Sequence, residues 1–162
     1  MDASVTNDGR TCLGIVVRDH MRLMRLATGK TIYASLEPVV GESLAIQLGL
    51  EAAASMDCII LESDCQVAVG MLNSSMGDLR LQGKIIEECL VLRRSFFEFR
   101  CSWVRRDANK LANEVASYVS NNSRSEVVLD RIQCISSTYV IWIGSNEIAF
   151  TMSFIKKKKV VK

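Results

Sequence analysis

The sequence has one histidine, one proline and no C-x-x-C pair. Its six cysteines (Cys12, Cys58, Cys65, Cys89, Cys101 and Cys134) have no nearby histidine partner, which argues against a zinc site. Most of them lie inside apolar runs, where a free thiol packs as a small hydrophobe, and no disulfide scaffold is evident. The opening Met-Asp-Ala-Ser has neither the basic nor the apolar region of a secretory signal, so an intracellular, reducing compartment is expected, nucleus and cytoplasm both open. No internal repeat is visible. The stretch Ile132–Ile155 reaches the roughly 20 residues a bilayer span needs, but it contains Ser136, Ser137, Thr138, Asn146 and Glu147. A central glutamate costs several kcal/mol in lipid, so no membrane association is expected.

What is present suits one domain of ordinary size with an appendage. Of 162 residues, 49% are hydrophobic and 23% charged, enough apolar material for a core. The net charge of +2 is unevenly spread: residues 1–78 hold five basic and ten acidic side chains, and residues 79–162 hold fifteen and eight. An acidic half joined to a basic half suits a polyanion held near a cation site, and scattered solvated charge would look the same.

Thr11–Arg18 and Leu23–Leu36 read as an antiparallel hairpin turning at Asp19-His20. Pro38 ends the extended segment. From Val40 the period changes, and Val40, Leu44, Leu48 and Ala52 predict an amphipathic helix of roughly sixteen residues, with Glu42 in its first turn. Cys58–Leu61 is a short apolar run of the kind buried on both faces, so the helix before it suggests a crossover and a parallel pairing inside a mixed sheet. Cys65–Leu72 and the Ile85, Cys89, Leu92 stripe predict two more helices, and Phe97–Val104 alternates as a strand, placing Trp103 in the core. Asp107 is the expected N-cap of a last helix with Leu111, Val115 and Tyr118 on one stripe and Ala112 and Ala116 beside it. Residues 121–162 differ in character: a linker, a candidate hairpin (Tyr139–Ile143 with Ile148–Phe154) and a lysine run at Lys156–Lys159, read as a solvated tail.

Four positions fall at element ends: Asp2, Glu42, Asp64 after the buried strand, and Asn113 one turn above Asn109. Sites in open sheets with parallel pairs form beyond the carboxyl ends of strands. Carboxylates gathered there repel one another unless a cation joins them, and hard oxygen ligands select Mg²⁺ or Mn²⁺. The plainer alternative gives Glu42 a helix N-terminus to stabilise and Asp64 the next helix to cap.

The segments Asp2–Ser4 (DAS), Gly14–Asp19 (GIVVRD), Gly41–Ala53 (GESLAIQLGLEAA), Ile60–Cys65 (ILESDC) and Val104–Ala116 (VRRDANKLANEVA) occur in an order and spacing that resembles the ribonuclease H superfamily. The likeness is to the reverse-transcriptase-like RNase H type-1 domains of plant retroelement-derived proteins, over about residues 1–120. It implies a mixed α/β RNase H-like domain, a five-stranded sheet flanked by helices with a truncated first strand, and residues 121–162 as an atypical tail. It also implies a catalytic and metal-binding set of Asp2, Glu42, Asp64 and Asn113, in which Asn113 stands where the family has its fourth acid. Two Mg²⁺ or Mn²⁺ ions are the implied cofactors. The implied activity is endonucleolytic hydrolysis of the RNA strand of RNA–DNA hybrids.

Hybrids are close to A-form and are read by shape, and Arg105, Arg106, Asn109 and Lys110 are the expected nucleic-acid contacts. Arg93 and Arg94 read as ordinary surface charges. Where many RNase H enzymes carry a histidine before the last helix, this chain has Arg105-Arg106-Asp107; His20, its one histidine, falls in the predicted hairpin turn. The glycine-rich phosphate loop of an actin-like ATPase is missing. Three readings follow: a metal-dependent hybrid nuclease, a catalytically impaired nucleic-acid-binding module, and an interaction fragment without independent function. A monomer is expected in each of the first two.

Overall fold

The computed structural model describes residues 9–74 and 80–121 and the backbone of 126–129 and 139–145. The chain runs β1 (Thr11–Arg18), β2 (Met24–Ile32), α1 (Pro38–Ala52), β3 (Cys58–Ser63), α2 (Gln66–Ser74), α3 (Leu81–Arg93), β4 (Glu98–Trp103), α4 (Lys110–Asn121), β5 (Glu126–Leu129) and β6 (Tyr139–Ser145). The first eight follow the order expected from periodicity.

The described strands form one sheet in the order β4-β3-β6-β1-β2-β5. β3 is parallel to both neighbours, β4 and β6, while β6–β1, β1–β2 and β2–β5 are antiparallel. The mixed α/β architecture is as expected; among the described residues the sheet has six strands, four within residues 1–120 and two, β5 and β6, from the segment read as a tail. The strand expected at Met1–Val5 lies outside the described residues. Tyr139–Ile143, expected in a tail hairpin, belongs instead to the central strand β6: Ile143 stands beside Ser63 on one side and beside Ile15 on the other. Its expected hairpin partner, Ile148–Phe154, is outside the described residues, as is the lysine run. Among the described residues no helix is long and apolar enough to cross a membrane.

Asp19 organises the β1–β2 turn. Its side chain is only 4% exposed and accepts the amides of Met21 and Leu23 and the guanidinium of Arg25. Burial alone pushes the carboxyl up, but these donors and the Arg25 charge outweigh it and hold Asp19 below its ordinary value. Arg22 takes the left-handed conformation (φ 62°) that closes such a turn, and exposed His20 sits at its tip.

Helices cover both faces of β1, so Cys12 through Val17 are all buried. Leu13, Ile15 and Val17 join Ile59 and Leu61 of β3 with Ile46 and Leu50 of α1, Leu72 of α2 and Ile86 of α3. Burial of each large side chain stabilises by about 1.5–3 kcal/mol. The α1 stripe expected at Val40, Leu44, Leu48 and Ala52 is only part of its buried surface; Ala45, Ile46, Gly49 and Leu50 are buried more deeply. The helix lies between the sheet and α3, and Gln47 donates across to Glu88 (2.8 Å). It begins at Pro38, which lacks an amide that the first turn would leave unpaired.

On the other face, Val16 and Ala27 pack against Ala112 of α4. The helix buries Ala112, Ala116 and Val119, and the expected stripe residue Tyr118 is 40% exposed. The reason is backbone proximity. A Cβ on Gly14 would collide with the Ala112 carbonyl oxygen and the Ala116 amide nitrogen, and one on Gly29 would lie 2.6 Å from Val119 Cγ2. Only small residues let the helix sit this low.

Two measurements test this arrangement. Gly14→Ala destabilises the domain by about 3 kcal/mol or more in urea denaturation, whereas Gly70→Ala, in α2 with nothing within 4 Å, stabilises it by about 0.5–1 kcal/mol. A chain ended after Asn121 leaves the facing edges of β1 and β3 unpaired and loses its cooperative thermal transition. An unchanged transition would remove β6 from the centre of the sheet.

Candidate functional site

The carboxyl end of β3, the amino-terminal half of α1 and the start of α4 meet at one edge of the sheet. Glu42 lies on the fifth residue of α1, a turn later than expected, and faces inward with 7% exposure. The Ser63 hydroxyl, at the end of β3, donates to Glu42 Oε2 (3.4 Å) and accepts the Cys65 amide (3.1 Å). The Ser63 hydroxyl thus makes the turn-type contact to the amide two residues on, at the entry to α2. The Asp64 carboxylate is engaged by Asn109, whose Nδ2 donates to Oδ1 at 2.7 Å.

Cys65 follows Asp64 and lies within the electrostatic reach of both acids. Burial pushes its thiol up, and the charges of Glu42 and Asp64 both push it further, opposed by the amides of Ala68 and Val67.

Asn109 precedes α4, and its carbonyl accepts the Asn113 amide (3.3 Å). It takes the capping position expected of Asp107, which is exposed in the preceding turn. Asn109 is fully buried, so its expected role as a nucleic-acid contact is replaced by support of Asp64. One helical turn on, Asn113 carries a buried Oδ1 without a hydrogen-bond donor. An acceptor left this way costs about 1–3 kcal/mol unless something electropositive reaches it.

Asp2 lies outside the described residues. The strand beside β3 is β6, and Tyr139–Ser145 contains no acid. Among the described residues, no three of His, Cys, Asp and Glu gather closely enough to hold a metal ion. Of the four positions named from the sequence, the described residues include the carboxylates of Glu42 and Asp64 and the amide of Asn113, whose oxygens are hard donors.

Arg105, Arg106 and Lys110 are exposed on the segment joining β4 to α4. Arg93 is half-buried, stacks its guanidinium on Phe99 (5.0 Å) and donates to the Leu72 carbonyl, a packing role where an ordinary surface charge was expected. Trp103 is not in the core: it is 47% exposed on edge strand β4, and its indole N–H donates to the Asp64 backbone carbonyl (3.1 Å). Sequence reasoning also missed Ser63. Its signal was a hydroxyl at the last inward position of a strand, directly before an acid.

A family profile described as reverse transcriptase-like matches residues 1–119. No curated protein matches the chain. Among solved structures, RNase H1 from the halophilic archaeon Halobacterium salinarum NRC-1 is 24% identical with a TM-score of 0.67, covering 74% of this chain and 92% of that one. The N-terminal RNase H domain of a Mycobacterium tuberculosis protein, solved fused to maltose-binding protein, is 14% identical with a TM-score of 0.53, covering 68% and 93%. Both share the fold.

The Asn109–Asp64 contact gives a pH test. Asn109→Asp sets two carboxylates side by side, which raises their joint proton affinity in the folded state above that of the unfolded chain. The variant is then close to wild-type stability below about pH 4 and loses stability as the pH rises through the raised values. Equal destabilisation at pH 4 and pH 7 in urea melts would show that the two side chains do not face each other.

Proposed function

This chain belongs to the reverse transcriptase-like family, an RNase H-like branch, and we propose that it binds RNA–DNA hybrids and cleaves their RNA strand weakly with Mg²⁺ or Mn²⁺. The observation that carries this reading is the Asn109–Asp64 hydrogen bond, which ties the start of α4 to the end of β3 and sets Asn113 one turn beyond.

Glu42, Asp64 and the Asn113 carbonyl oxygen would hold a divalent ion, and the unsatisfied Asn113 oxygen supports that fit. A bound ion would supply a water of lowered pKa and charge stabilisation for an in-line phosphodiester displacement. Ser63 and Asn109 orient the two carboxylates by donating neutral hydrogen bonds, which fix geometry without cancelling charge. Arg105, Arg106 and Lys110 supply phosphate contacts beside the acids, so binding falls with salt.

The weakness follows from charge. Asn113 offers an oxygen without a negative charge, and the acid-free β6 adds none beside β3.

The test uses a labelled hybrid with Mg²⁺ or Mn²⁺. Wild type binds at low salt and cleaves slowly, Asp64→Ala abolishes cleavage, and Asn113→Asp raises cleavage and Mn²⁺ affinity by about tenfold or more. Absence of hybrid binding at low salt, or an Asp64→Ala variant as active as wild type, overturns the reading.

A further inference from the structure

The exposed indole at the site has no part in the chemistry above. We propose that Trp103, together with Arg105, Arg106 and Lys110, forms a binding strip for unpaired nucleotides that leave the hybrid beside Asp64. The inference rests on the reading above for its ligand class, a polynucleotide.

Trp103 ends edge strand β4, and the Val104 amide closes that strand end on the Ser63 carbonyl (3.0 Å). The single polar atom of the ring is spent: its N–H donates to the Asp64 carbonyl, so the indole is held at the site by its polar edge. Nearly half of its surface still faces solvent. A ring so placed offers an apolar π-face and no hydrogen bond with which to read one base against another. It therefore suits stacking that is indifferent to sequence.

The surroundings select the ligand. Arg105, Arg106 and Lys110 follow within seven residues and are all exposed, against one exposed acid in the same turn, Asp107. An aromatic face next to a basic segment matches the alternation of base and phosphate along a single strand. Inside a duplex the bases are already stacked on one another, so the free face of Trp103 has a partner only where the strand is unpaired. The site edge thus takes a paired hybrid at the carboxylates and an overhang at the tryptophan.

The experiment compares a blunt RNA–DNA hybrid with the same hybrid carrying a short oligo-dT overhang, by fluorescence anisotropy with the full chain. The overhang tightens binding about tenfold, and an abasic overhang of equal charge gives only a small part of that gain. Trp103→Ala loses the base-dependent gain, and Trp103→Phe, which keeps a ring, retains most of it. An overhang effect that is equal with abasic sugars, or unchanged in Trp103→Ala, overturns the proposal. The abasic comparison decides it on the unmodified chain if Trp103→Ala does not fold. A blunt hybrid that binds with no benefit from the overhang removes this strip alone; failure of both ligands to bind removes the hybrid reading with it.

Discussion

The backbone pairing of β6 joins what would otherwise be two separate pieces of sheet. On one side stand β4 and β3, parallel; on the other β1, β2 and β5, antiparallel. β6 runs parallel to the first piece and antiparallel to the second, meeting β3 over five residue pairs and β1 over six. Buried amides and carbonyls are almost always paired, so two inner strand edges without this partner would carry a large cost. The candidate site inherits its position from this join. The carboxyl end of β3 is held between two parallel neighbours, and the elements bearing Glu42 and Asn113 pack across the same sheet.

The height of α4 above the sheet is the second constraint. Gly14 and Gly29 supply no Cβ, and Ala112 and Ala116 supply the smallest one, so helix backbone and strand backbone come into contact. This is a steric requirement on β1 and β2, distant in sequence from the polar residues it serves. It lowers the start of α4 until Asn109 reaches Asp64, and it leaves the Asn113 oxygen without access to water. Packing of small residues on one face of the sheet and the polar geometry at its edge are therefore one arrangement.

Much of this was legible in the residues. The order of the first eight elements follows from hydrophobic period, and Glu42, Asp64 and Asn113 could be named because they fall at element ends. The failures share a cause. Leu111, Val115 and Tyr118 form the more apolar stripe of α4, yet the residues buried against the sheet are Ala112, Ala116 and Val119, lying over Gly14 and Gly29, and a helix sequence alone does not reveal the surface opposite it. Trp103 alternates as a core residue would, but β4 lies at the edge of the sheet, and edge position is a property of topology. Asp107 is a good N-cap by type, and Asn109 takes the position because its side chain is drawn to Asp64. The central role of Tyr139–Ser145 was invisible for the same reason: an apolar alternating run announces a strand, not its neighbours.

The polar residues around the two acids show a consistent electrostatic choice. Glu42 is buried, and Ser63, which donates to it, directly precedes Asp64 in the chain. Each acid accepts a hydrogen bond from an uncharged donor, Glu42 from the Ser63 hydroxyl and Asp64 from the Asn109 amide. A lysine there would compete with any cation for the same oxygens; a neutral donor orients the oxygens and leaves the field intact. Asn113 adds the opposite half of the compromise. A third carboxylate at its position would increase the attraction for a divalent ion and would also increase the repulsion that the ion-free fold must withstand. The amide spares the folded chain that repulsion, and in the metal-binding reading proposed above it does so at the expense of cation affinity.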